Sequence, residues 1–312
     1  MDNASIKTQS SLSIAVLGVG KIGSTFAYQL SKAGHEVTVI ARQGSLRLEQ
    51  LQRDNGIVLN TGERAEMRIA DSLDEQIAYD LVVVTTLAHQ VDPLLPVLQR
   101  SRAKCVHFMF VNFEPERLRD ALGKKRCTFG MPAVMATLDD AGRLKPTISS
   151  RQKTLHSDQR WVDLFSDAGV PSVLEPEMLL WLSCHVPFTV AMESVSVAGH
   201  RRGGGATWAE AMVGARGMHA GFAIVKRLKS RLYPRSKSVM ASLPVLLIAF
   251  LLWFVSRIAP MRELMATGLN ECRALADKMV AASDKLKPIL PSAAQAVLKM
   301  RPVEESRVKS HS

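Results

Sequence analysis

Three glycines, Gly18, Gly20 and Gly23, stand in G-x-G-x-x-G spacing directly after the apolar run at 14–17. Such a turn can cradle phosphates. The first glycine permits the tight turn, the second lets a pyrophosphate approach the backbone, and the third lets a helix pack on the strand, with Val19, Lys21 and Ile22 completing the loop. A second apolar stretch at 35–41 ends in Arg42. An acidic residue there would accept from a ribose 2′-hydroxyl, whereas an arginine pairs with a 2′-phosphate, so NADP(H) is the favoured cofactor. Arg47 follows closely, and either arginine also reads as a solvated loop charge.

The elements that must hold these residues follow from the periodicity. An amphipathic helix is expected over 24–33, a short hairpin over 56–68, a buried parallel strand over 80–86, a helix over 89–100 despite Pro93 and Pro96, a strand over 105–112 and a helix over 116–122. A strand pair with a turn at 139–142 spans 126–148, and a helix covers 161–168. This alternation predicts an α/β fold: an N-terminal Rossmann-type doubly wound parallel sheet, followed by an all-α C-terminal domain. The expected domains are 1–174 for the cofactor and 175–300 for substrate and dimerisation, with a flexible basic tail at 301–312. Thr85, Thr86 and Asn112 fall at strand ends, where nicotinamide and substrate would lie.

The 312 residues carry a formal charge of +11 and are 47% hydrophobic, so the chain is long and apolar enough for a folded core. The basic residues are dispersed and not interleaved with aromatics, which argues against nucleic acid and for an anionic cofactor, an anionic substrate or a lipid surface. Four separated cysteines without a C-x-x-C pair predict neither a metal site nor a disulfide framework. The polar stretch 1–13 lacks a hydrophobic signal core, so a cytoplasmic protein is expected, with a peripheral or inner-membrane location as the alternative. That alternative rests on 239–256, an uncharged run containing Pro244 between Lys237 and Arg257. It is short for a span of about 20 residues and reads as a buried or homodimer-interface helix, with membrane contact as the other reading. The second glycine cluster, Gly203 to Gly205 after Arg201 and Arg202, reads either as an anion site or as an interhelix turn.

Taken together, the Gly18-Gly20-Gly23 turn, Arg42, the strand end at 84–90, Asn112 and the Phe129-Gly-Met-Pro132 strand with its Asp-Ala-Gly turn resemble the ketopantoate reductase family. Weaker similarity continues through 185–193 and 262–263. The resemblance implies an NADP-binding domain, a helical domain, an active site in the cleft between them, and reduction of a carbonyl on a small anionic substrate of the 2-oxo acid type. It also exposes departures. Leu87 stands where the family carries a lysine. One register puts His185, Thr189 and Glu193 at the positions of a catalytic lysine and two asparagines; another puts Leu182 at the lysine position. Steps of four residues keep the first three within about 80° of helix surface. In that register His185 is the expected proton donor, oriented by Thr189 or Glu193, with Asn112 beside them and Glu263 or Glu271 as the family's acidic group. The alternatives are a core histidine in a catalytic protein, or a noncatalytic nucleotide-binding protein.

Overall fold

The computed structural model describes residues 11–302, apart from the side chains of Leu264 and Thr267. Most of the expected basic tail therefore lies outside the described residues. The chain divides into two compact units, one running to Phe110 and resuming over Glu116–Met178, the other formed by Val111–Pro115 and the chain from Leu179.

The first unit begins β1 (Ser13–Leu17), α1 (Lys21–Lys32), β2 (Glu36–Ile40), α2 (Leu46–Asp54), β3 (Gly56–Val58), β4 (Arg64–Glu66), β5 (Arg68–Ala70) and β6 (Leu81–Val84). It continues through α3 (Leu95–Arg100), β7 (Val106–Met109), α4 (Pro115–Leu122), β8 (Cys127–Met131), β9 (Met135–Leu138), β10 (Leu144–Thr147), β11 (Thr154–His156), α5 (Gln159–Asp167) and β12 (Ser172–Leu174). Eight strands form one sheet in the order β12-β11-β8-β7-β6-β1-β2-β5. All its pairs are parallel except β11 with β8. The central strands read as unbroken apolar runs because helices cover both faces; Ile14, Ala15, Val16 and all of β6 are buried. On α1, Gly23, Phe26, Ala27 and Leu30 recur at helical spacing and are buried. Strand order reverses between β1 and β6, which places a topological switch point at their carboxyl ends.

Local corrections have local causes. The helix expected over 89–100 is broken into two 3-10 turns, Ala88–Gln90 and Asp92–Leu94, before α3 begins at Leu95. Pro93 and Pro96 cannot donate to a continuous ladder and take N-terminal positions of separate turns. The strand expected over 105–112 ends at Met109. Cys127–Met131 joins the large sheet, leaving β9 and β10 as the antiparallel hairpin.

The second unit is helical: α6 (Met178–Arg201), α7 (Trp208–Lys229), α8 (Arg235–Ser242), α9 (Val245–Val255), α10 (Ala259–Met265), α11 (Leu269–Ser283) and α12 (Pro291–Met300). By length and composition α6 could cross a membrane, but 61% of its most apolar window is buried, the pattern of a core helix. Glycines on α7 let its neighbours approach: a Cβ at Gly217 would lie 2.6 Å from Met300 Cβ, and one at Gly221 2.8 Å from Pro187 Cβ. The run 239–256 is not one buried helix. It breaks at Leu243 and Pro244 with a bend of 108° between α8 and α9. Only Ile248, Ala249 and Leu252 of α9 are buried.

Candidate functional site

The glycine turn leaves β1 at Gly18, whose φ of +91° only glycine adopts without strain. A Cβ on Gly18 would stand 2.9 Å from both Thr86 Cγ2 and Thr86 N, so the ends of β1 and β6 leave no room for a side chain. A Cβ on Gly23 would run into the Gly18 carbonyl oxygen and lie 2.5 Å from Thr85 Oγ1. Gly20 differs: nothing lies within 4 Å of where its Cβ would be. The outer glycines thus close the backbone on itself, while the middle one borders open space.

Polar groups around that space are left available. Gly20 is the N-cap of α1 and provides no side-chain cap, so the first amides of the helix point outward unclaimed by a cap. Thr85 Oγ1 donates within the β1 and β6 ends, with Gly18 O at 2.7 Å and Leu17 O at 3.1 Å. Thr86 Oγ1 is buried without a partner, an unusual state for a hydroxyl. Val19 is buried and Lys21 is exposed.

The two arginines separate into different roles. Arg47 donates to Val19 O (3.0 Å), Ser24 Oγ (2.9 Å) and Gly142 O (2.8 Å), which ties the glycine turn to α1 and to the β9–β10 hairpin. Its reading as a solvated charge is therefore corrected: it is a half-buried structural tether, and desolvation lowers its pKa. Arg42, just past β2, is exposed and makes no ion pair with a described residue. A phosphate could be held between this guanidinium and the amides of the turn.

In the second unit α6 runs through Pro187 and carries His185, Thr189 and Glu193 on successive turns. They meet different surroundings. His185 stacks on Trp181 with ring centroids 4.4 Å apart and lies 5.7 Å from Phe188, and its Nδ1 is buried without a partner. Burial, then the nearby Lys237 charge, push its pKa down to about 3, so this imidazole is neutral at physiological pH. Desolvation thus works against the proton-donor role expected of this residue. Thr189 Oγ1 donates to His185 O at 3.3 Å within the helix. Glu193 is buried against Gly268 and Cys272; burial, then Glu271, raise its carboxyl to about 9. Asn112 is buried and accepts from Glu114 N at 3.0 Å, turning the chain toward α4. Glu263 is exposed on α10, 3.9 Å from Arg262.

The residue missed from sequence is Lys237. Delivered by α8, it is buried with Nζ 4.4 Å from the Phe188 ring centroid, and burial lowers its pKa to about 8. No ion pair joins it to a described acid. Its signal in the sequence was its place as the last cation of a basic stretch, just before an uncharged run.

The second glycine cluster is built the other way round. Its carbonyls face arginines: Gly204 O accepts from Arg262 at 2.8 Å and Ala206 O from Arg257 at 3.0 Å. Glu210 pairs with Arg202 and closes a capping box with Thr207 at the start of α7. The anion-site alternative is corrected accordingly, because the helix N-terminus already has its acceptors.

Residues 14–153 match the family model described as Ketopantoate reductase PanE/ApbA. A 2-dehydropantoate 2-reductase of Vibrio cholerae is 36% identical over 94 residues, 28% of this chain and 29% of that protein. A D-amino acid dehydrogenase of Sinorhizobium medicae is 63% identical over 38 residues, 12% of this chain and only 9% of that protein. The matched stretches thus span less than a third of these curated relatives. Among solved structures, a PanE/ApbA family ketopantoate reductase of Ralstonia eutropha superposes with a TM-score of 0.68 at 19% identity, covering 92% of this chain and 97% of the other. A D-mandelate dehydrogenase solved with NADH gives 0.65 at 16%, covering 93% and 97%. The fold is therefore shared along nearly the whole chain, and the segment 14–153 is similar in sequence to the ketopantoate reductase PanE/ApbA family.

Proposed function

We propose that this protein is a nicotinamide-dependent oxidoreductase that prefers NADP(H) and reduces a carbonyl on a small anionic substrate of the 2-oxo acid type. The observation that carries this reading is the turn at the switch point: Gly20 borders open space, α1 has no side-chain cap, and the Thr86 hydroxyl is unpaired. These residues fit a dinucleotide, with the first-turn amides of α1, Lys21 to Gly23, for the pyrophosphate, Arg42 for the 2′-phosphate, and Thr85 and Thr86 toward the nicotinamide half. The cofactor, when bound, supplies the hydride. The NADH in the D-mandelate dehydrogenase structure supports the nicotinamide class, and the preference for NADP(H) rests on Arg42.

For the proton we favour Lys237 over His185. A lysine at about pKa 8 is mostly protonated at neutral pH yet gives its proton up readily, whereas an imidazole at about 3 has no extra proton to give. A buried ammonium over the Phe188 ring and near His185 also suits an anionic substrate. His185 and Thr189 would then orient substrate, and Asn112, Glu193 and Glu263 act through the frame. The test is titration with NADPH and NADH, followed by NADPH oxidation with a panel of 2-oxo acids. NADPH should bind more tightly, with Arg42→Ala narrowing the preference about tenfold or more. Lys237→Met should lower turnover about 10²-fold with little change in NADPH affinity. Equal affinity for the two cofactors would refute the NADP(H) assignment.

A second reading, a nucleotide-binding protein without chemistry, is favoured by the exposed, apolar Leu87 just past the end of β6. Tight NADPH binding with no oxidation by any carbonyl substrate would establish it.

A further inference from the structure

One face of the second unit is apolar and uncovered. On α9, Leu246, Phe250 and Phe254 follow one another at four-residue steps and are 62%, 49% and 53% exposed, with Leu247 and Leu251 beside them. The opposite side, Ile248, Ala249 and Leu252, is buried against the unit. Val239 on α8 and Ile258 after α9 extend the exposed apolar surface at both ends. Soluble monomers rarely display so continuous an apolar stripe.

Two observations identify the occupant. The first is charge: residues 211–262, which contain this whole face, hold nine lysines and arginines and not one aspartate or glutamate. Among them Lys226, Arg227, Arg231, Arg235 and Arg257 are exposed. A second copy of the chain would bring two such acid-free surfaces together, and like charges across an interface oppose association. The second is length. The 11 residues of α9 extend about 16 Å, half of a hydrocarbon core of about 30 Å, and the 108° bend prevents α8 from prolonging it. The helix can lie in a bilayer surface but cannot cross it. Aromatic and aliphatic side chains flanked by cations are the composition of an interfacial helix.

We propose that the exposed face of α9 docks this protein on an anionic lipid surface, with Leu246, Phe250 and Phe254 entering the headgroup boundary and the surrounding cations meeting lipid phosphates and carboxylates. The proposal does not depend on the catalytic reading. The full chain should co-sediment with vesicles of phosphatidylcholine and phosphatidylserine, about three to one, and stay in the supernatant with phosphatidylcholine alone. The triple variant Leu246→Ser/Phe250→Ser/Phe254→Ser should bind at least about tenfold more weakly. Arg231→Glu/Arg235→Glu, which leaves the apolar face intact, should also lose about tenfold, so the test survives misfolding of the triple variant. Absence of the full chain from the phosphatidylserine pellet overturns the proposal, as does equal binding to both vesicle types. A concentration-dependent dimer in sedimentation velocity that becomes monomeric in the triple variant, without vesicle binding, assigns the face to a second copy instead.

Discussion

The two glycine clusters of this chain precede helices of different design, and the contrast separates the turn proposed to cradle a ligand from a structural turn. Before α1 the helix N-terminus lacks a side-chain cap, Gly20 borders open space, and the Thr86 hydroxyl has no partner. Before α7 the N-terminus is closed by Thr207 and Glu210, and the turn's carbonyls are taken by Arg257 and Arg262. Glycine content and basic neighbours are alike in both. What differs is whether the backbone donors are already satisfied, and only unsatisfied donors gain from binding an anion.

The largest effect is expected from Gly20→Ala. With φ at −77° and no atom within 4 Å of the new Cβ, the variant should fold with an unchanged melting temperature. The methyl occupies the space assigned to the pyrophosphate, so NADPH affinity should fall by about 10- to 100-fold, roughly 1.4–2.7 kcal/mol. Unchanged affinity by calorimetry would remove the cofactor role from this turn.

The two units should also respond oppositely to pH. In the first, His107 Nε2 and His156 Nδ1 lie 2.9 Å apart, and burial holds His156 at about 3 and His107 well below its ordinary value. Both prefer to be neutral in the fold, so their contribution is complete above about pH 6.5 and is lost as pH falls from there toward 3. Glu193 in the second unit has the opposite sign: its raised pKa of about 9 imposes a cost that grows as pH rises from about 4.5 toward 9. Glu193→Gln should therefore stabilise the protein at pH 8 by about 1–3 kcal/mol and change nothing at pH 4 in thermal melts. Destabilisation at pH 8 would mean that the carboxylate is charged and paired.

The smallest effects belong to the closed turn. Thr207→Ala removes the cap of α7 and should cost about 1 kcal/mol without altering NADPH affinity. Gly204→Ala, with no atom within 4 Å of its Cβ, should leave both stability and binding unchanged. A change of NADPH affinity in either variant would erase the distinction between the clusters.

Much of the first unit was legible because parallel strands buried on both faces are rich in apolar residues; β1 and β6 carry unbroken apolar runs, and β2 and β7 are mostly apolar. The short strands β11 and β12, at one end of the sheet, were missed. Three residues carry little periodicity, and their partners lie far along the chain. On the candidate site, Gly18, Gly20, Gly23 and Arg42 could be read from spacing. Arg47 could not, since its partner Gly142 is 95 positions away.

Local sequence specifies most elements of the first unit, the glycine turn, the arginine after the second strand and the absence of acids around the apolar run, because each depends on neighbours within a few residues. Tertiary structure decided which polar groups were left over. It neutralised His185, brought Lys237 to Phe188, tied down Arg47, closed the second glycine cluster and left half of α9 exposed. These outcomes follow from desolvation and from contacts between residues distant in the chain, and neither quantity is contained in spacing or composition.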